Sequence, residues 1–177
     1  ESIWSSVVNK HGELKRLFQK AVPLYPLRKI KRVGFEMERT SGNRWIMLSS
    51  SAGFIDPLLS TGFPLTLQTI QRLASCLSPQ SLRQPGPLAA LSSLAKAAKA
   101  DLRMVDQLIG TLYATMSDFR HFAATSLVYF AAVSFTEAAR RLGKKKLAPG
   151  FLFSEDPTLS LPILSTFENI KRIHQSE

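Results

Sequence analysis

The chain predicts an α+β fold, mainly helical, with a small β-hairpin and several packed helices. Three observations carry that reading. Apolar residues recur at helical intervals through most of the chain, strict alternation is confined to one short stretch, and a Gly/Pro-punctuated segment, 45–64, joins the two patterns.

Along residues 3–21, Val7, Leu14, Leu17, Phe18 and Ala21 keep helical spacing, and Pro23 and Pro26 stop it. Val33, Phe35 and Met37 then alternate with Gly34, Glu36 and Glu38. Thr40-Ser41-Gly42-Asn43 is a turn signal, and Arg44 to Leu48 is apolar with a Trp. Residues 30–39 and 44–49 are therefore expected to pair as the hairpin. From Pro64, the positions Leu65, Ile70, Leu73, Ala74 and Leu77 return to helical spacing. Pro64 suits the first turn of that helix, where its missing N–H costs nothing, and Ser60 or Thr61 suits the N-cap. The amides of Gly62 and Phe63 then lie at the positive end of the helix dipole, and Gly62 has no Cβ to block an approaching ligand. Such a terminus suits an anionic or electron-rich ligand, although a strand–turn–helix of this kind is also ordinary architecture.

A loop rich in Ser, Gln, Pro and Gly, residues 78–87, is the best internal boundary. Two helices fill 88–117, broken or continuous near Ala100-Asp101. Asp118 caps or precedes a helix over 118–142 that ends at Gly143. Phe119, Phe122, Leu127, Tyr129, Phe130 and Phe135 give it a broad aromatic face, expected to be mostly core.

A length of 177 residues allows one domain with a real core, and 45% hydrophobic residues with a mean hydropathy of +0.01 argue against disorder. The expected organisation is one compact unit. It comprises 1–43, a helix and strand; 44–77, the strand–turn–helix; 78–87, the loop; and 88–177, a helical region. Cys76 is the single cysteine, which excludes an internal disulfide and a cysteine-cluster zinc site; its place on the 64–77 helix points to a buried thiol. His11, His121 and His174 are widely spaced and match no metal motif, so no metal is expected. Asp118 and His121 are placed to meet as a helix-surface pair. No charged-then-apolar leader pattern and no apolar run of spanning length are found, and the expected location is cytoplasmic.

The formal net charge is +10, with basic clusters at Lys15-Arg16-Lys20, Arg28-Lys29-Lys31-Arg32, Arg140-Arg141-Lys144-Lys145-Lys146 and Lys171-Arg172. A basic balance favours polyanion contact. No helix-turn-helix, RNA-binding or zinc-finger signature accompanies it, so no specific nucleic-acid partner is expected.

The segment Leu48 to Ala74 resembles the late flavin-contacting segment of FAD-dependent monooxygenases and flavin-dependent tryptophan halogenases. The resemblance rests on Ala52-Gly53-Phe54-Ile55-Asp56-Pro57 followed by Ser60-Thr61-Gly62 and an apolar helix. Tyr129-Phe130-Ala131-Ala132, Glu137 and Arg140-Arg141-Leu142-Gly143 are similar to the C-terminal helix of the same group, which extends the resemblance loosely over 14–143. It implies the C-terminal part of a flavoprotein monooxygenase-like fold and FAD as cofactor. Flavin contacts would fall at Ser50, Ala52, Gly53, Phe54, Asp56 and Pro57, and a halide contact at the amides of Thr61 and Gly62. In such enzymes reduced flavin and O₂ hydroxylate or, with halide, halogenate an apolar or aromatic substrate, and the protein supplies positioning and electrostatics.

The sequence departs from the family at three places. Ser49-Ser50 stands where the family has Gly-Asp, so a neutral hydroxyl replaces the carboxylate that accepts from the ribityl chain. Leu59 stands where tryptophan halogenases have a Glu that assists chlorination. No Gly-x-Gly-x-x-Gly loop opens a βαβ unit to carry the FAD pyrophosphate. The expectation is thus a segment of a flavin-dependent oxidoreductase, inactive alone and weak for FAD, with a separate FAD-binding half or a flavin reductase as partner. The alternatives are a non-enzymatic helical interaction module of the same descent and, more weakly, a basic nucleic-acid-associated protein.

Overall fold

A single long helix organises most of this chain. The computed structural model describes residues 3–22, 24–26, 33–83 and 87–175, and the structural statements below concern those residues. The basic cluster 28–32, the Pro23 helix stop and the first residues of the expected hairpin lie outside them. The chain divides into two compact units, residues 1–31 and 32–177.

In the smaller unit the expected single helix is two, α1 (Ile3–Lys10) and α2 (Gly12–Phe18). His11 is extended, with φ −121° and ψ 110°, and breaks the ladder just before Gly12, a poor helix former. The helices fold back so that Trp4 meets Phe18 edge-on, with ring centroids 5.1 Å apart. Neither helix buries a residue fully.

The larger unit opens with two small antiparallel pairs rather than the expected hairpin. β2 (Ser41–Gly42) and β3 (Trp45–Ile46) form a tight hairpin across Asn43-Arg44, with Ser41 opposite Ile46 and Gly42 opposite Trp45. β1 (Phe35–Glu36) pairs instead with β4 (Gly53–Phe54), Phe35 opposite Phe54 and Glu36 opposite Gly53. The intervening residues 49–52, of which Ser49 was expected to close the second strand, make one helical turn, α3 (Ser49–Ala52). That turn is fixed by burial of a polar side chain. The Ser49 hydroxyl lies 2.6 Å from Thr69 Oγ1 and donates to the Leu65 carbonyl, pinning α3 to the next helix.

α4 (Gly62–Cys76) starts two residues before Pro64. Its buried side chains are Leu65 and Thr69; Ile70, Ala74 and Leu77, expected on the apolar face, are exposed, and Cys76 is half-buried. The 78–87 loop contains one helical turn, α5 (Pro79–Leu82), capped by Ser78. The two helices expected over 88–117 are one, α6 (Pro87–Ala114), continuous through Ala100-Asp101. Leu102, Met104, Val105, Leu108, Ile109 and Leu112 of α6 form the middle of the core, joined by Ala52, Leu65, Tyr129, Phe151, Leu152 and Phe167. Val105, Leu108 and Leu112 are wholly shielded from solvent.

Asp118 caps α7 (Phe119–Arg141) as expected, accepting from the amides of Arg120 and His121. Gly143 ends it in the left-handed region at φ +70°. The amide of Gly143 donates to the Arg140 carbonyl and that of Lys144 to the Ala139 carbonyl, the paired bonds of a Schellman cap. The aromatic face of α7 is corrected: only Tyr129 is buried, Phe122 packs at the core's edge, and Phe119, Leu127, Phe130 and Phe135 face solvent. The helix is also long and apolar enough, by length and composition, to cross a bilayer, although the sequence shows no unbroken apolar run. Thr125, Ser126, Ser134 and Thr136 interrupt the run without breaking the helix.

Beyond Gly143 the chain makes two tight turns, 145–147 and 151–153, and then α8 (Ser160–Gln175), which packs along α6. The second turn is tied to α6 by a buried carboxylate. Asp101 accepts from the Phe151 amide at 2.7 Å, from the Ser154 hydroxyl, and from Arg72 Nη1 of α4 at 3.0 Å. Arg72 also pairs with Glu155.

Candidate functional site

The turn from β4 into α4 is where the sequence concentrates its chemistry. Asp56 organises it. One carboxylate oxygen accepts from the Leu58 amide at 2.8 Å and from the Tyr113 hydroxyl at 2.9 Å, so a residue of α6 fixes a turn residue 57 positions away. This hydrogen bond, more than any other influence, pushes the Tyr113 hydroxyl above its ordinary pKa. After Pro57 the chain makes a tight turn, Leu58–Ser60, with Leu59 and Ser60 in the left-handed region at φ 60° and 52°. Such torsions cost a non-glycine residue on the order of 1–3 kcal/mol each and persist only where surroundings hold them. The holding contacts are the Ser60 amide on the Pro57 carbonyl, at 2.9 Å, and Leu58 and Leu59 against the core.

Thr61 is the N-cap residue of α4. It is buried, has helical torsions and makes no side-chain cap bond, and Ser60 does not cap the helix either. The amides of Gly62 and Phe63 stand in the first turn, where an α-helix offers no internal acceptor. Gly62 is open, with no atom within 4 Å of where a Cβ would be, and the Phe63 side chain is 72% exposed.

These elements enclose a concavity of about 440 Å³ between α3, β4, the 57–61 turn and the first turn of α4, floored by Leu65 and Leu102. Ser50, Gly53, Phe54, Asp56, Pro57, Thr61 and Gly62 all line it. Ala52 does not; the α3 turn carries its Cβ into the core, where it is 2% exposed. Gly53 has a packing reason to be glycine: a Cβ there would stand 3.1 Å from the Phe35 carbonyl oxygen and 3.3 Å from Leu102. The lining is mostly apolar, and Asp56 is its one charged side chain. With that carboxylate already holding Tyr113 and Leu58, the concavity offers a ligand an apolar wall, the Ser50 and Ser60 hydroxyls, and two backbone amides. Volume and chemistry are those of an ordinary small-molecule cleft.

Sequence reasoning missed Tyr113, Ser49 and Thr69, the residues that fix this geometry. Ser49 and Thr69 carried a weak signal, as small hydroxyls next to apolar positions; Tyr113, in a long apolar helix, carried none. Two other hollows, one of about 630 Å³ between α6 and α8 and one of about 500 Å³ beside Arg72 and Arg140, contain none of the predicted site residues.

The described residues thus define a mainly helical domain with short antiparallel strands, and an apolar cleft at a strand–turn–helix junction. No protein-family model matches the chain. It is similar to the tetracycline 7-halogenase of Kitasatospora aureofaciens, 34% identical over 74 residues, which is 42% of this chain and 13% of that protein. That similarity supports a distant relation to the flavin-dependent halogenases, and the chain spans about an eighth of the relative's length.

Proposed function

We propose that this chain is a segment of a flavin-dependent oxidoreductase, monooxygenase or halogenase-like, with residues 50–63 facing the flavin. The observation that carries the reading is the convergence on one concavity of Ser50, Gly53, Phe54, Asp56, Pro57, Thr61 and Gly62, the positions that the family resemblance marks. The partial similarity to tetracycline 7-halogenase points the same way.

The residues fit the ring end of the cofactor. The open backbone at Gly62 lets a flat ring approach, and Leu65 and Leu102 give it an apolar floor. The Ser50 hydroxyl, exposed on α3, is suited to a ribityl hydroxyl. Nothing among these residues is suited to the pyrophosphate, so a separate FAD-binding half would supply that grip, and affinity for FAD by this chain alone would be weak. When bound, the flavin supplies the oxidising chemistry on O₂. The chain's own contribution is to hold the ring edge, to present the Gly62 and Phe63 amides to a halide or a developing negative charge, and to keep water from the apolar wall. Leu59 cannot move a proton, so any acid or base for the reaction would come from another part of the enzyme or from the substrate.

The test is a flavin titration of the isotope-labelled chain followed by amide NMR. Saturable shifts confined to 50–63 and 102, without co-purified yellow colour, are the expected result. Absence of any shift there at millimolar flavin would sink the reading, and stoichiometric copurified FAD would overturn its weak-affinity part. A bromide-soaked crystal gives a second check, with an anomalous peak expected beside Thr61 and Gly62.

A second reading, a helical interaction module that has lost the cofactor, is favoured by the solvent-facing Phe119, Leu127, Phe130 and Phe135 of α7. It requires flavin to leave 50–63 unperturbed.

A further inference from the structure

The three histidines are dispersed in sequence, yet two of them meet in space. His121, in the first turn of α7, and His174, near the end of α8, stack edge-on with ring centroids 4.9 Å apart. His174 Nε2 lies 3.2 Å from His121 Nδ1, and the same Nδ1 lies 2.7 Å from Asp118 Oδ2. The three atoms are all within 4.8 Å of one another.

Protons alone do not satisfy this arrangement. The Nδ1 of an imidazole has one in-plane direction, holding either a hydrogen or a lone pair, so it cannot serve the carboxylate and the second ring together. A single cation at the centre takes a lone pair from all three atoms. In a tetrahedral zinc site, with metal–ligand bonds near 2.0–2.2 Å, neighbouring ligand atoms stand roughly 3.3 Å apart. The 2.7 and 3.2 Å separations are both slightly shorter than that edge and the third is at most 4.8 Å, so the groups must shift to seat an ion, which the partly exposed side chains of His121 and Asp118 have room to do. The carboxylate is already oriented. Its Oδ1 accepts from the amides of Arg120 and His121 as the cap of α7, which leaves Oδ2 aimed at the rings. Such outer hydrogen bonds are what fix the ligands in metal sites.

We propose that Asp118 Oδ2, His121 Nδ1 and His174 Nε2 form a binding site for a divalent transition metal, with zinc(II) as the fitting ion. Two imidazoles and one carboxylate suit zinc and disfavour magnesium and calcium, which prefer all-oxygen shells. Three protein ligands leave a fourth position open to water or to a ligand atom. Two ligands come from one helix, at positions i and i+3, and the third from α8, 53 residues away, so the ion ties the end of α8 to the start of α7. This site is separate from the 50–63 concavity and shares no residue with it.

Cobalt(II) is the probe, because tetrahedral cobalt gives intense visible d–d bands. The full chain is expected to take up one equivalent with that spectrum and to lose it when zinc(II) is added. His174→Ala should weaken cobalt binding ~10-fold or more. Asp118→Asn should weaken it as well while keeping the helix cap, since Asn caps as well as Asp. Circular dichroism of both variants separates loss of ligand from loss of fold. His11→Ala and Cys76→Ala should leave the spectrum unchanged. No cobalt uptake by the unsubstituted chain overturns the proposal, as does uptake that survives His174→Ala or His121→Ala.

Discussion

Asp101→Asn tests the tertiary hub of the larger unit with a change of one atom. The carboxyl group is 1% exposed in the middle of α6 and is shared by α4, through Arg72 at 3.0 Å, and by the 151–154 turn, through the Phe151 amide and the Ser154 hydroxyl. Asparagine fills the same space and keeps one acceptor, so the Phe151 bond survives. Its NH₂ takes the place of Oδ2 and faces a guanidinium that cannot accept, while Ser154 keeps the Oδ1 position it already shares with Phe151, now a neutral and weaker acceptor. Removing one partner of a buried ion pair costs about 3–5 kcal/mol. Arg72 retains Glu155, which lowers the expected loss to roughly 2–4 kcal/mol on the scale for charged hydrogen bonds. A domain of this size loses about 2–4 °C of Tm per kcal/mol, so thermal unfolding followed by circular dichroism should show a drop of about 6–12 °C for a mid-range loss. The variant should also loosen the 151–154 turn, where Leu152 and Phe153 hold left-handed torsions, and this is measurable as faster amide exchange there. A Tm within about 2 °C of the parent, with protection at Phe151 intact, would refute the assignment of Asp101 as the hub.

Leu108→Ala, at a fully shielded position between α6 and its neighbours, should cost about 2–5 kcal/mol in a urea titration. The two glycines of the concavity should part company: Gly53→Ala must push the Phe35 carbonyl or Leu102 aside and destabilise, whereas Gly62→Ala, facing open space, should leave stability within about 0.5 kcal/mol and show only in flavin or bromide binding. The pH dependence should carry two opposite signs. Burial, its largest influence, raises the Asp101 carboxyl above its ordinary 3.8, against the pull of Arg72, Ser154 and the Phe151 amide. Its native form therefore holds the proton longer than the unfolded chain, and its stability contribution is full below 3.8 and lost as pH rises through the raised value. The gap between parent and Asp101→Asn should narrow across that rise. Glu137 is lowered, chiefly by Arg141 and then Arg140, so its contribution is present above its ordinary 4.5 and fades as pH falls through the lowered value. Being solvent-facing, that pair should register as a small, salt-sensitive effect.

Local chemistry was readable wherever the chain itself carries the signal. The Asp118 cap, the Gly143 stop and the opening of α4 beside Pro64 follow from side-chain oxygens, a missing Cβ and a missing N–H. The helical dominance and the short antiparallel strands follow from periodicity in the same way. What the sequence hid is non-local. β1 pairs with β4 and not with the nearer strand, because the buried Ser49–Thr69 contact turns residues 49–52 into a helical turn and brings Gly53 back to Phe35. The break at His11 is a backbone torsion that helical spacing does not report, with Gly12 beside it as the one local trace. Asp101 did leave a trace, as the charged member of the apolar series Leu94, Ala98, Val105, Leu108 and Leu112, though that pattern does not name its partners. The aromatic positions of α7 look like core in any periodic reading, since periodicity reports a face and is silent on whether anything covers it. At the site, most of the residues marked by the resemblance line one concavity, and Tyr113 became visible only when α6 was laid against Asp56.

The reversal at Leu59 and Ser60 bears on how this chain can change over time. Two successive side-chain-bearing residues hold left-handed torsions there; glycine or asparagine would relieve the strain at exposed Ser60, whereas at Leu59 it would also remove packing against the core. Single-base drift reaches such residues readily from serine, and selection for stability alone would favour them. Libraries of the chain selected only for heat resistance should therefore accumulate Gly or Asn at 60 and keep Leu59 against the core, whereas libraries selected for ligand capture should keep the Ser60 hydroxyl that lines the concavity. The divergence between those two outcomes measures how much of the turn's shape is retained for use and how much is historical residue.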